Sequence, residues 1–294
     1  MAVCLGIFLA SGCGGGGTSA PAPNPTPPPN PTPAAQVSHV VMVVEENHSY
    51  NEVIGTSAMP YLNSLASKYG LATQYFANTH PSIGNYFELT AGQTITGDDS
   101  YSAAVTADNI VRQLLAAKKT WKGYAESLPS TGYTGGDVYP YKRAHFPLSY
   151  FCDVVNDNTQ VSNLVPFTQF ATDLANDQLP DYSLVVPDLL NDAHDGTLTQ
   201  ADTWLQTNID PLLSNPTFQQ SGLLIITFDE GDSADAAHGG GHVVTVLVGP
   251  KVKPGVQSTT FHQHQDALAL VCSTLGISSC PGQAAGANDM GEFF

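Results

Sequence analysis

A chain of 294 residues with nine Lys plus Arg against 26 Asp plus Glu, a formal net charge of −17, cannot grip a polyanion by displacing its counterions, so nucleic acid is set aside as a partner. The same balance gives no electrostatic adsorption to anionic lipid. With 12% of residues charged, the surface must draw on Ser, Thr, Asn, Gln and Gly, a composition compatible with export.

The chain opens on an apolar run, Ala2 to Ala10, within the ~7–15 residues of a signal h-region and too short for a membrane span. LASGC, Leu9 to Cys13, resembles a lipoprotein cleavage box with Cys13 as the lipidated residue, although no Lys or Arg precedes it. Gly14 to Gly17 and PAPNPTPPPNPTPAA, Pro21 to Ala35, then read as an extended tether. The expected organisation is therefore a signal segment over 1–13, a tether over 14–36 and one catalytic domain over 37–294. Export is expected, with a lipid anchor as the sole membrane attachment; a plain secreted enzyme is the alternative.

Val40 to Val44 is a short apolar run ending in Glu45, Glu46, Asn47 and His48, the pattern of a buried parallel strand releasing polar groups at its carboxyl end. Ligands of open α/β sheets bind at that edge. The cluster reads either as a metal or acid–base site or as a strand end with a helix cap. A second run of the same build, Leu223 to Phe228, ends in Asp229 and Glu230. Two acidic pairs at one sheet edge would repel and raise their own pKa values. A divalent cation held by Glu46, Asn47, Asp229 and Glu230 relieves that conflict.

Between these strands, helical patterns run over Met59 to Tyr69 and Asn109 to Ala117. In NTHPSIGNYFELTAG, Asn78 to Gly92, helical spacing places Ser82 at a helix N-terminus, where an anion is favoured. A serine beside a metal can attack phosphorus, and Asn85 one turn on could donate to a phosphoryl oxygen. An ordinary helix cap is the competing reading of Ser82. Trp121 to Asn158, rich in Tyr, Gly and Pro, is expected to be an irregular insertion roofing the site. Strand-like runs at Tyr182 to Val186 and Val243 to Val248 complete an alternation that predicts an α/β fold, a mostly parallel central sheet with helices on both faces. Cys272 and Cys280 can pair in an oxidising compartment, and without a CxxC pair no thiolate zinc site is expected.

In this order, EENHSY, HPSIGNYFELTAG, PDLLNDAHDG, TFDEGD and GGGHVVTVLVGP resemble the bacterial phosphoesterase family, which includes acid phosphatases and phosphatidylcholine-type phospholipases C within the alkaline-phosphatase-like superfamily. The resemblance runs from about Val37 to the closing DMGEFF. It implies that Glu46, Asn47, Asp229 and Glu230 ligate a single divalent metal of open identity. It implies that Ser82 is the nucleophile and that Asn85 steadies the transferred phosphoryl group. His242 matches a family histidine, and His194 sits at a sheet edge with Asp192 and Asp195; these two are favoured as catalytic. His80, His145, His264 and Glu126 carry no assigned role, and His39, His48, His238 and His262 are read as peripheral. The implied reaction is hydrolysis of a small phosphate ester or phospholipid head group through a phosphoseryl intermediate. Acid phosphatase comes first, phospholipase C is the alternative, and an inactive surface-binding module on the same fold is the non-enzymatic reading.

Overall fold

A computed structural model describes residues 34–294; the expected signal segment with Cys13, and the tether up to residue 33, lie outside the described residues. Residues 34–36, expected to end the tether, pack on the domain instead: Ala34 is buried and its N–H donates to Asp289 Oδ2 (3.2 Å).

Among the described residues the ten strands are β1 His39–Glu45, β2 Gly70–Ala72, β3 Tyr75–Phe76, β4 Trp121–Ala125, β5 Leu164–Pro166, β6 Tyr182–Val186, β7 Gly222–Phe228, β8 Thr245–Val248, β9 Val256–Ser258 and β10 His262–Gln263. Eight form one sheet in the order β5-β4-β6-β1-β7-β8-β2-β9, while β10 and β3 pair separately. From β5 to β7 every pairing is parallel, and β8 runs against both β7 and β2. Side chains on a strand alternate between faces, yet every residue of β6 and β7 and all of β1 after His39 are buried. Both faces of the sheet centre are therefore covered, which is why these strands read as unbroken Val, Leu and Ile runs.

The helices fall where apolar spacing places them. Pro60–Lys68 begins at a proline, which costs nothing where the N–H has no helical partner, and Asn109 caps Ile110–Ala116 through Arg112 N (3.1 Å). Helix Ser82–Ala91 is buried throughout and packs on His264–Thr274.

One expectation needs correction. The segment from Trp121 begins with an interior strand, β4, between β5 and β6. Its sequence, WKGYA, hides this because Lys122 is paired with Asp173 and Gly123 gives way to Phe146, whose Cζ would lie 2.6 Å from a Cβ there. The remainder is irregular, with short 3-10 turns at Arg143–His145 and Pro147–Ser149 that carry His145 inward. Cys272 and Cys280 form a disulfide, and Cys152 is free.

Candidate active site

The carboxyl ends of β1 and β7 lie side by side, with Glu45 opposite Phe228. This register delivers both acidic pairs to one place, and the Asp229 N–H donates to Glu45 O (3.0 Å). Glu46 and Asp229 are fully buried and Glu230 nearly so. Ser82 joins them as the first residue of its helix. The cap position belongs to Pro81, so the Ser82 hydroxyl is not spent on its own helix. It faces Glu46 Oε2 and Glu230 Oε1, both at 3.2 Å.

One hydroxyl proton cannot serve two acceptors at once. Burial, then mutual repulsion with Asp229, Asp192 and Glu230, raises the pKa of Glu46; burial and Glu230 do the same for Asp229, and burial for Glu230. Asp229 Oδ2 and Asn47 Oδ1 are buried with no hydrogen-bond partner. Buried oxygen acceptors left unpaired among carboxylates suit a divalent cation, so the donor chemistry of this residue set fits the expected metal.

A second group of donors borders the first. Glu46, His145 and His194 each offer one ligand atom, and these lie within 4.8 Å of one another. His145 is buried, its Nδ1 3.2 Å from Glu46 Oε1 and 3.5 Å from Asp192 Oδ2. Burial, with His194 close by, pushes the His145 pKa down to about 3, so the ring is neutral. Burial pushes Asp192 up to about 8. Tyr86 donates to Glu46 Oε1 (2.6 Å) and stacks on His145 at 5.2 Å between ring centroids.

Two residues expected to act directly are engaged elsewhere. Asn85 accepts from the N–H groups of Asn78 (3.0 Å) and Thr79 (3.1 Å) and donates to Thr79 O (2.8 Å), so its side chain clamps the loop before the serine. His242 is stacked between Tyr50 and Phe76, with Nε2 3.1 Å from Thr73 O. Glycines let that clamped loop sit tightly: a Cβ on Gly84 would lie 2.5 Å from Thr79 Cγ2, and one on Gly240 2.4 Å from Thr79 O.

Of the residues without assigned roles, His145 joins the site and the other three are braces. His80 Nδ1 holds Glu230 Oε2 at 2.8 Å, and His264 Nε2 sits 2.6 Å from Asp229 O. Glu126 accepts from Trp204 Nε1, the Asp188 N–H and Asn191 Nδ2, fixing the loop that carries Asp192 and His194. His262, read as peripheral, is buried between Asp266 and Glu292. Among the described residues no Lys or Arg hydrogen-bonds or ion-pairs with Ser82, the four acid-pair residues, Asp192 or His145.

The Phosphoesterase family model matches residues 56–278. The chain belongs to that family. The match starts after Glu46 and Asn47, so those two rest on the geometry above. A phosphatidylinositol-3-phosphatase of Mycobacterium tuberculosis is 34% identical over 242 residues, 82% of this chain and 77% of its own length. An acid phosphatase of Aspergillus fumigatus is 32% identical over 255 residues, 83% of this chain and 56% of its own. A phosphate-repressible acid phosphatase of Penicillium chrysogenum is 33% identical over 238 residues, 77% of this chain and 57% of its own. The chain thus spans a little over half the length of these two fungal relatives. Among solved structures, an alkaline phosphatase superfamily protein from Vibrio parahaemolyticus superposes with a TM-score of 0.59 at 14% identity, covering 84% of this chain and 69% of that one. A lipoteichoic acid synthase from Listeria monocytogenes gives 0.60 at 12%, covering 89% and 77%. At such identities the likeness concerns the fold, and it agrees with the mostly parallel sheet. The chain is a hydrolase of phosphoric ester bonds.

Proposed function

We propose that this phosphoesterase is a metal-dependent phosphomonoesterase of the acid phosphatase type, working through a phosphoseryl intermediate. The observation that carries the reading is Ser82 Oγ at a helix start, 3.2 Å from both Glu46 and Glu230. Ser82 Oγ bonds to phosphorus as the ester oxygen departs, and the hydroxyl proton passes to the facing carboxylate. His194, at the rim with Nδ1 on Asp195 (2.8 Å), protonates the leaving alcohol. Water then attacks the phosphoseryl group, releasing phosphate and restoring the hydroxyl. A divalent cation held by Glu46, Asn47, Asp229 and Glu230 would lower the pKa of the hydroxyl and offset charge on the phosphoryl oxygens. Asn85 and His242 act at one remove, by holding the Asn78–Thr79 loop and the Thr73 carbonyl.

Monoester is preferred to phospholipase C chemistry because the aromatic cluster that could have formed a lipid-accepting surface is largely core. Of the aromatic residues Tyr133, Tyr139, Tyr141, Phe146, Tyr150 and Phe151, four (Tyr141, Phe146, Tyr150 and Phe151) are buried and Tyr139 alone is strongly exposed. The relatives' own names, which are those of phosphatases, support the same choice. The convergence of Ser82 with both acid pairs speaks against an inactive binding module. We also propose export with Cys13 lipidated; among the described residues no helix is long and apolar enough to cross a membrane. The deciding experiment assays purified protein on phosphomonoesters and phosphatidylcholine with and without chelator. Monoester turnover lost on chelation, together with a lower melting temperature, is expected. Full turnover after exhaustive chelation, or turnover of the diester alone, overturns the reading.

A further inference from the structure

We propose that Val138, Tyr139 and Leu190 form a leaving-group shelf beside His194, and that it selects phosphate monoesters with a flat, uncharged aryl leaving group. The proposal rests on the phosphomonoesterase reading above and adds to it what the protein recognises beyond the phosphate.

Exposed apolar surface is concentrated at this place. Among the described residues five large hydrophobic side chains are exposed, and three of them are Val138 (46%), Tyr139 (65%) and Leu190 (36%). Backbone bonds bring the three together. Val138 and Tyr141 exchange N–H···O bonds (3.2 and 2.9 Å), which makes Tyr139 and Pro140 the tip of a closed turn. The Leu189 N–H donates to Pro140 O (3.1 Å), joining that tip to the loop of Leu190. Asp195 and Gly196 both donate to Leu189 O (2.8 and 3.3 Å), which folds Leu190 back against the residues that follow His194. The approach is close enough that a Cβ on Gly196 would lie 2.0 Å from Leu190 O. The Tyr139 side chain comes near enough to Asp195 that, after partial desolvation, that carboxylate raises its pKa. Asp195 is also the partner of His194 Nδ1 (2.8 Å).

Position decides what the shelf holds. His194 is the group assigned to protonate the departing oxygen, and its ring stands 5.7 Å from that of His145, which faces Glu46 Oε1. Ser82 faces the other oxygen of the same carboxylate. An ester attacked in line by Ser82 projects its leaving group away from the serine. That is the His194 side, and the shelf is the surface met there.

Charge narrows the class. The cations next to the tip are engaged, Lys142 Nζ with Asp137 Oδ2 (2.7 Å) and Arg143 with Ser102 O (3.3 Å) and Ser149 O (3.1 Å). Asp195 and Asp188 act on the Tyr139 ring instead, so an anionic leaving group meets repulsion. Both carboxylates already accept hydrogen bonds, Asp195 from His194 and Asp188 from Ser127 (2.6 Å) and the Leu190 N–H (3.1 Å), and neither is set aside for a cationic group. An uncharged apolar group loses only water against Val138 and Leu190, and an aryl ring adds a stacked or edge contact with Tyr139. The turn is held by its own hydrogen bonds and by Pro140, so little ordering is left for substrate to impose.

The test compares 1-naphthyl phosphate with glycerol 2-phosphate as substrates, and benzylphosphonate with methylphosphonate as ligands that are not turned over, in full-length protein. The intrinsic difference between leaving groups is common to all variants, so the readout is the aryl-to-alkyl ratio in each. Tyr139→Ala is expected to lower the ratio of kcat/KM by about 3–10-fold, through KM on the aryl ester with its kcat nearly unchanged. The ratio of phosphonate affinities should fall to the same extent. Leu190→Ser should lower both ratios, Tyr139→Phe should preserve them, and Leu115→Ala, an exposed apolar residue on helix Ile110–Ala116, should leave them at wild type. Circular dichroism and melting temperature confirm that each variant is folded. A variant that merely disturbs His194 slows both esters alike, so unchanged ratios in Tyr139→Ala and Leu190→Ser overturn the shelf. A loss in Tyr139→Ala confined to choline phosphate overturns it in favour of cation recognition. Loss of sedimentation with phosphatidylcholine vesicles at unchanged ratios overturns it in favour of membrane contact. Turnover that survives chelation or Ser82→Ala, with the ratios still falling in Tyr139→Ala, overturns the mechanism proposed above and leaves the shelf standing.

Discussion

Buried His262 offers a stability measurement independent of catalysis. Its Nδ1 lies 2.9 Å from Asp266 Oδ2 and its Nε2 2.8 Å from Glu292 Oε1, so both ring nitrogens donate to carboxylates and the ring is an imidazolium. Burial opposes that charge, but the bonds to Asp266 and Glu292 outweigh it and hold the pKa up to about 9, against 6.5 ordinarily. Burial would likewise raise Glu292, yet His262 and Ser258 bring it down to about 2. The raised histidine contributes stability that is complete below its unfolded value and lost as pH climbs through about 9. The depressed glutamate contributes above its unfolded value, 4.5, and loses its part as pH falls through about 2. At 1.36 kcal/mol per unit the histidine shift corresponds to about 3 kcal/mol. The two shifts describe one contact and are not added, and the partly open Glu292 side chain brings the figure to the order of 1–3 kcal/mol. The perturbation is His262→Gln, followed by urea unfolding of variant and wild type from about pH 6 to about pH 10. Wild type should lead by that amount at the acid end and converge on the variant at the alkaline end. A gap that stays flat across the range refutes the charged-histidine reasoning.

Ser82→Ala should abolish most turnover while leaving metal content and melting temperature near wild type; retained turnover on every active ester would reduce Ser82 to a packing residue. Asn85→Ala, which frees the Asn78–Thr79 loop, should cost stability as well as rate, and a pure rate loss with unchanged urea midpoint would contradict the clamp. Replacing Cys272 and Cys280 by Ser opens a short loop, sequence separation 8, and should cost about 2–3 kcal/mol in urea unfolding under non-reducing conditions. Gly84→Ala gains about 1 kcal/mol of helix propensity but drives a methyl into Thr79, at about 1–3 kcal/mol for overpacking. A more stable variant would show that the loop yields freely.

The parts legible in the sequence are those with short-range signatures. β1 and β7 are runs of apolar residues ended by acids, and their neighbouring register brings Glu46, Asp229 and Glu230 together with Ser82. β4 was hidden because Lys122 and Gly123 answer to Asp173 and Phe146, partners that local pattern does not contain. His145 reaches Glu46 from an irregular segment with no periodicity to follow. Asn85 and His242 stand in the right motifs, but a motif fixes position along the chain and not which way an amide or a ring is turned. Asp192 was in view beside His194; its buried, unpaired oxygen became visible only with the packing around it.

A site walled by carboxylates and imidazoles, with no Lys or Arg bonded to it, changes how substrate arrives as well as how it reacts. A dianionic ester approaching a body of formal charge −17 is repelled from afar and attracted only at contact range. Salt shortens the reach of that repulsion to about 10 Å at 0.1 M while hardly touching buried interactions. Capture of anionic esters therefore quickens as ionic strength rises, opposite to an enzyme fed by a basic funnel. An ester whose phosphate is balanced by its own cationic group feels little of this, so the salt dependence of kcat/KM distinguishes substrates by net charge before any of them reaches Ser82.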